Sequence, residues 1–136
     1  MFNRKKQPPI KSLIAHGCQI DGNFVFSDGL RVDGGLTGNI VGSTDHPSIL
    51  VISESAVVKG EVQADHIIIN GRVEGPVLAR AMLELQPKAR ITGDVTYQAL
   101  EMHQGAIVAG RLCPILVGEG ALLEEKPTLK LAANNQ

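Results

Sequence analysis

"ITGDV", residues Ile91 to Val95, sets an apolar residue, a polar one, a glycine, a polar one and an apolar one in a row. Close variants return as "IDGNF" at 20–24, "LTGNI" at 36–40, "VKGEV" at 58–62, "VEGPV" at 73–77 and "VAGRL" at 108–112. The glycines of this column, Gly22, Gly38, Gly60, Gly75, Gly93 and Gly110, are spaced 16, 22, 15, 18 and 17 residues apart. Self-similarity at a near-constant period belongs to stacked architectures, in which one repeat cannot bury its own apolar face. The single long step contains "GSTDHPS" (Gly42 to Ser48), a turn-forming composition that marks a surface insertion.

A second column lies upstream of the glycine. It reads "LRV" (30–32), "LVI" (50–52), "III" (67–69), "LEL" (83–85) and "LEM" (100–102). The outer positions are always apolar, and the middle one is Arg31, Val51, Ile68, Glu84 or Glu101. This is the period-two alternation of a strand with one buried face. Ala56, Ala89, Ala106 and Ala121 form a third column, as expected of a corner that admits only small side chains. No stretch carries a helical period. The predicted fold is all-β: a single-domain parallel β-helix over 12–123 of about six coils, each roughly 17 residues long. A basic tail (1–11) and a polar tail (124–136) are expected to be disordered. At about 4.8 Å per coil, the rod is on the order of 30 Å long.

Composition agrees with a narrow, layered interior. Aromatic residues are only 3% of the chain and Trp is absent, so the core must be built from Val, Ile, Leu and Ala. The repeated glycine is expected to serve the corner bend and to relieve crowding by inward side chains. Pro76, which cannot donate to a ladder, is expected at a corner or irregularity. A seventh coil begins at "ILVGEGALLEEKP" (115–127) but fails, because Glu125 and Pro127 replace the glycine and the next apolar residue.

The formal net charge of −1 argues against nucleic-acid binding. The charges are nonetheless segregated. Arg4, Lys5, Lys6 and Lys11 precede the first acid, Asp21, whereas 12–115 holds seven bases and 11 acids. No apolar run reaches signal-peptide or membrane-span length, so the body is expected to be soluble. Cys18 and Cys113 show no metal-ligand spacing. Placed in the first and sixth coils they should lie about 24 Å apart, beyond the roughly 7 Å reach of a disulfide.

No catalytic, cofactor or metal residues are assigned. His46 is in the insertion, His66 begins a coil, and His16 and His103 lie on turns; none has an evident partner acid in the sequence, and each reads as a solvated surface histidine. That counts against the hexapeptide-repeat acyltransferases, which also repeat strictly every six residues. No phosphate-cradling glycine cluster opens a helix, so no nucleotide is expected.

"LRVDGGLTGNI", "LVISESAVVKGEV", "IIINGRVEGPV" and "LELQPKARITGDV", in this order and with alternating longer and shorter coils, resemble the bactofilins, bacterial polymer-forming cytoskeletal proteins. The similarity runs from about Ile14 to Leu123. It implies a right-handed β-helix, assembly into filaments without nucleotide, and a scaffold that localises cell-wall or cell-shape machinery.

The residues themselves also point to assembly. An open β-helix offers unpaired backbone groups at both ends, and solenoids that remain monomeric usually carry polar caps. End-to-end stacking is expected through Leu13, Ile14, Ile20 and Phe24 at one end and Ile107, Val108, Leu112 and Leu122 at the other. The start "MFNRKK" sets Met1 and Phe2 beside Arg4, Lys5 and Lys6, a pattern suited to an anionic membrane surface. Some bactofilins begin in this way and attach to the inner membrane. The expected partners are therefore the chain itself, that membrane, and cell-wall enzymes or membrane proteins, at the cytoplasmic face. The alternatives are a monomeric β-solenoid binding module or a hexapeptide-type acyltransferase.

Overall fold

A computed structural model of the chain describes residues 8–116, and the regular structure in this range is entirely β. Fifteen parallel strands wind into six three-sided coils, three long strands each turning a corner to serve two coils. Coil one is β1 (Ile10–Ile14), β2 (Gln19–Asp21) and β3 (Phe24–Phe26); coil two is β4 (Gly29–Val32), β5 (Gly35–Thr37) and β6 (Ile40–Gly42). Coil three begins with β7 (Ile49–Ile52) and β8 (Val57–Lys59), then enters β9 (Val62–Ile69), which turns the corner into coil four. β10 (Arg72–Glu74) and β11 (Val77–Leu85) lead to coil five, and β12 (Arg90–Thr92) and β13 (Val95–Met102) to coil six, closed by β14 (Ile107–Ala109) and β15 (Leu112–Pro114). The predicted β-helix is thus observed. Its first strand starts at Ile10, two residues before the expected boundary, because Ile10–Ile14 pairs with β4.

Register places like on like. Leu30, Leu50, Ile67 and Leu83 form one interior ladder, and Leu36, Val58, Val73 and Ile91 another, each residue 2% exposed or less. A fully buried Leu or Ile contributes about 2 kcal/mol by leaving water. Further along the coils, Phe26 pairs in register with Gly42, and Ala64, Ala79 and Tyr97 stack in turn. Small residues lie between the rings, so the aromatics among the described residues, Phe24, Phe26 and Tyr97, sit towards the two ends of the stack.

Turn chemistry sets coil length. In coils one, three, five and six the corner before the six-stranded sheet is a hydrogen-bonded turn, closed by Cys18→Ala15, Ala56→Ser53, Ala89→Gln86 and Ala106→His103. In coils two and four it shortens to Asp33–Gly34 and Asn70–Gly71. A Cβ on Gly34 or Gly71 would lie 2.4 or 2.2 Å from a carbonyl oxygen of the coil beneath. The corner of small residues is therefore Cys18, Gly34, Ala56, Gly71, Ala89 and Ala106.

Of the two reasons expected for the repeated glycine, the corner bend holds and the crowding by inward side chains does not. The glycine's neighbour is backbone, not a crowded interior. A Cβ on Gly38 would lie 2.1 Å from the carbonyl oxygen of Gly22, and one on Gly60 1.9 Å from that of Gly38. From Gly22 to Gly93 the column also has positive φ, between +135° and +153°, which L side chains rarely adopt. The next position is a polar corner in every coil but the fourth. Asn23 Oδ1 accepts from Asn39 N at 3.0 Å, Asn39 Oδ1 from Glu61 N at 3.0 Å, and Asp94 Oδ1 from Arg111 N at 2.9 Å. Pro76 occupies this corner in coil four, as expected, where its missing N–H costs no ladder bond.

The insertion is pinned by one polar network. Asp65 accepts from Arg80 Nε at 2.9 Å and from Ser48 N at 2.9 Å, while Arg80 Nη2 donates to the Gly42 carbonyl at 2.9 Å. Ser48 is buried beneath it.

Candidate assembly site at the open rims

A rod built from stacked coils has two ends where the ladders stop. At the first, Ile14 and Phe26 are 4% and 6% exposed, and Ile20 and Phe24 pack partly against the core. At the other, the inward side chains are Leu100, Met102, Val108 and Leu112. Met102 follows Leu85 in register and Leu112 follows Val95. Leu85 and Val95 are 0% exposed, yet Met102 is 43% and Leu112 46% exposed. The column and the direction are the same, but among the described residues no further coil covers them. These exposures measure what a further layer would bury.

The eight expected interface residues therefore divide. Ile14, Ile20 and Phe24 face inward at the first rim, and Val108 and Leu112 at the last. Leu13 points outward, 58% exposed, in the column of Arg31, and Ile107 points outward, 53% exposed, in the column of Arg90. Leu122 lies outside the described residues, as do Met1, Phe2, Arg4, Lys5 and Lys6. Phe26, Leu100 and Met102 were missed. Alternation in "FVF" and "LEM" could have found them, since the partner two positions away was already placed inward.

The outward faces carry the charge. Ion pairs join neighbouring coils at Lys11–Asp28 (3.0 Å), Arg80–Asp65 (2.9 Å) and Arg111–Asp94 (3.2 Å), and Lys88–Glu54 (3.4 Å) bridges coils five and three across the short corner of coil four. The Arg111 contact, through its N–H first and its side chain second, holds the Asp94 carboxyl below its ordinary pKa. Exposed pairs of this kind contribute little each. No helix among the described residues is long and apolar enough to cross a membrane.

Two histidines depart from the expected surface role. His103 Nε2 stands 3.3 Å from Glu84 Oε2 and 3.2 Å from Glu101 Oε2; coil stacking supplies partner acids that linear spacing hid. His66 is half-buried, in register with Ile49 and Met82, and its Nε2 is buried with no hydrogen-bond partner. Burial holds its pKa below the ordinary 6.5, with Glu84 pulling the other way. The unfolded chain then binds this proton more readily than the folded one. Stability from this group is full above about pH 6.5 and falls as the pH drops through the lower folded value. Denaturant titrations from about pH 8 to pH 5 will therefore show a shallower pH dependence for His66→Gln than for the parent chain. Equal slopes would place the proton uptake elsewhere. His16 and His46 are exposed, as expected.

A family model for bactofilins, described as polymer-forming cytoskeletal, matches residues 12–113. Bactofilin BacO of Myxococcus xanthus is 25% identical over 111 residues, which cover 82% of this chain and 85% of that protein. Bactofilin BacP of the same organism is 28% identical over 115 residues, 79% of this chain and 48% of that protein, so the chain spans about half the length of that relative. No solved structure matches the chain at a significant level.

Proposed function

The chain belongs to the bactofilin family of polymer-forming cytoskeletal proteins, and on that footing we propose that it stacks end to end through its two apolar rims, without nucleotide, into filaments held on the inner face of the bacterial cell membrane. There the filament localises cell-wall or cell-shape machinery and has no catalytic role of its own. The observation that carries the end-to-end reading is the break in the interior ladders: Met102 and Leu112 continue columns that are fully buried one coil earlier. Another rim set on the last coil would remove this surface from water and pair the free strand edges at once.

The membrane part of the reading rests on the sequence "MFNRKK". Basic residues near an anionic leaflet contribute about 1 kcal/mol each, so one copy binds marginally. A filament presents many copies on one surface, and effective concentration turns marginal sites into firm attachment. Replacing Phe2, Arg4, Lys5 and Lys6 together will release the protein from sedimenting anionic vesicles while filaments still form in electron micrographs taken without nucleotide. Filament loss in this variant would contradict the separation of the two roles. A parent chain that remains monomeric at micromolar concentration and high salt would instead favour a solitary binding module.

A further inference from the structure

Glu84 of β11 and Glu101 of β13 are partners in register on adjacent strands. Two carboxylates directly opposite each other on one sheet face repel and weaken the pairing unless a cation lies between them. The acids of the other cross-coil pairs meet a Lys or an Arg: Asp28, Asp65, Glu54 and Asp94 each have one within 3.4 Å. Among the described residues, the ion-pair partner of Glu84 and Glu101 is His103 alone. No lysine or arginine among the described residues pairs with these two stacked acids.

We propose that Glu84, Glu101 and His103 bind a divalent transition-metal ion of the zinc class, which joins coil five to coil six. The donor set is one imidazole nitrogen and two carboxylate oxygens, all within 4.8 Å of one another. Zinc bonds to such atoms are about 2.0–2.2 Å long, and a tetrahedral centre then separates its donors by about 3.3 Å. His103 Nε2 is already 3.3 Å from Glu84 Oε2 and 3.2 Å from Glu101 Oε2. The backbone produces this arrangement without a dedicated loop. Glu101 and the residue two positions on share one side of the chain, and register brings Glu84 beside them. Gln86 Nε2 donates to Glu84 Oε2 at 3.2 Å and orients the carboxylate, the second layer of contacts that metal ligands need. The imidazole disfavours calcium and magnesium, which take oxygen ligands almost throughout. Three protein donors leave the fourth position to water.

The proposal does not rest on the filament reading and is tested in solution on the full chain freed of metal. Calorimetric titration with zinc, and cobalt(II) titration followed by its visible absorption, will each show one ion per chain. His103→Ala and Glu84→Gln will each weaken binding at least about tenfold, the scale of a lost ligand or its support, whereas His46→Ala will leave it unchanged. Saturating zinc will raise the melting temperature of the parent chain and not that of His103→Ala. The three ligands lie outside the core, so circular dichroism of the variants should match the parent. Should Glu84→Gln fail to fold, Glu101→Gln on the exposed side supplies the same readout. Absence of saturable binding, or binding that survives both His103→Ala and a glutamate change, overturns the site.

Discussion

Val108→Asp will leave the purified chain folded and unable to polymerise. Val108 follows Ile91 in the interior column of the six-stranded sheet, and Ile91 is 2% exposed. In the monomer Val108 only packs partly against the core, and no described coil lies above it, so an aspartate there remains in reach of water and costs the isolated rod little. At a joint between two rods the same carboxylate would be covered on both sides with no cation to meet it. An unpaired buried charge costs about 3–5 kcal/mol, which raises the concentration needed for assembly by roughly two to three and a half orders of magnitude. Sedimentation will show the parent chain pelleting and the variant remaining in solution, with superimposable circular dichroism spectra. Normal filaments from this variant would remove the last coil from the joint.

Gly60→Ala will cost more stability than any exposed substitution, although the residue touches no side chain of the core. Its φ of +149° is unfavourable to alanine, and the new Cβ would lie 1.9 Å from the Gly38 carbonyl oxygen. That oxygen belongs to the backbone of the coil beneath and cannot swing away as a flexible side chain would. Either two coils part or the corner rearranges, and the loss should be on the order of 3 kcal/mol or more. For a body of this size the melting temperature should then fall by roughly 10–20 °C. Gly22→Ala separates the two causes. Gly22 has φ +135° but nothing within 4 Å of the added atom, so it carries the backbone strain without the collision and should melt well above Gly60→Ala. If the two variants melt together, stacking of carbonyl on Cα is not what reserves the column for glycine.

The same column shows where reading the chain worked and where it stopped. Six occurrences of one phrase established a stacked solenoid, and the "LEL" and "LEM" stretches gave the buried positions within a coil. They did not show that each glycine lies over the carbonyl of the glycine before it, because that contact joins residues 15 to 22 positions apart whose alignment depends on every turn between them. At the rims the difference is practical. Leu13 and Ile107 are as apolar as Ile14 and Val108, and both were expected in the joint. One residue of phase sends each to the outer face, since successive side chains on a strand point to opposite sides.

The histidines make the same point through chemistry. His103 has a glutamate two residues before it that was visible all along, and another 19 residues back that only winding brings near. His66 reads as a polar residue at the start of a coil, yet stacking sets it between Ile49 and Met82.

The chain alone thus determined that the backbone is extended, that it returns at short intervals, and that aliphatic residues line one side of it. Alternation and turn-forming residues act over a few neighbours and need no distant partner to be expressed. Tertiary structure decided which side chains from different windings meet: glycine over carbonyl, glutamate beside glutamate and histidine, and bare Met102 and Leu112 where the ladders end. Those meetings depend on registration between coils, a sum over corners of unequal length, and one residue more or less at any corner would place a different atom in each contact.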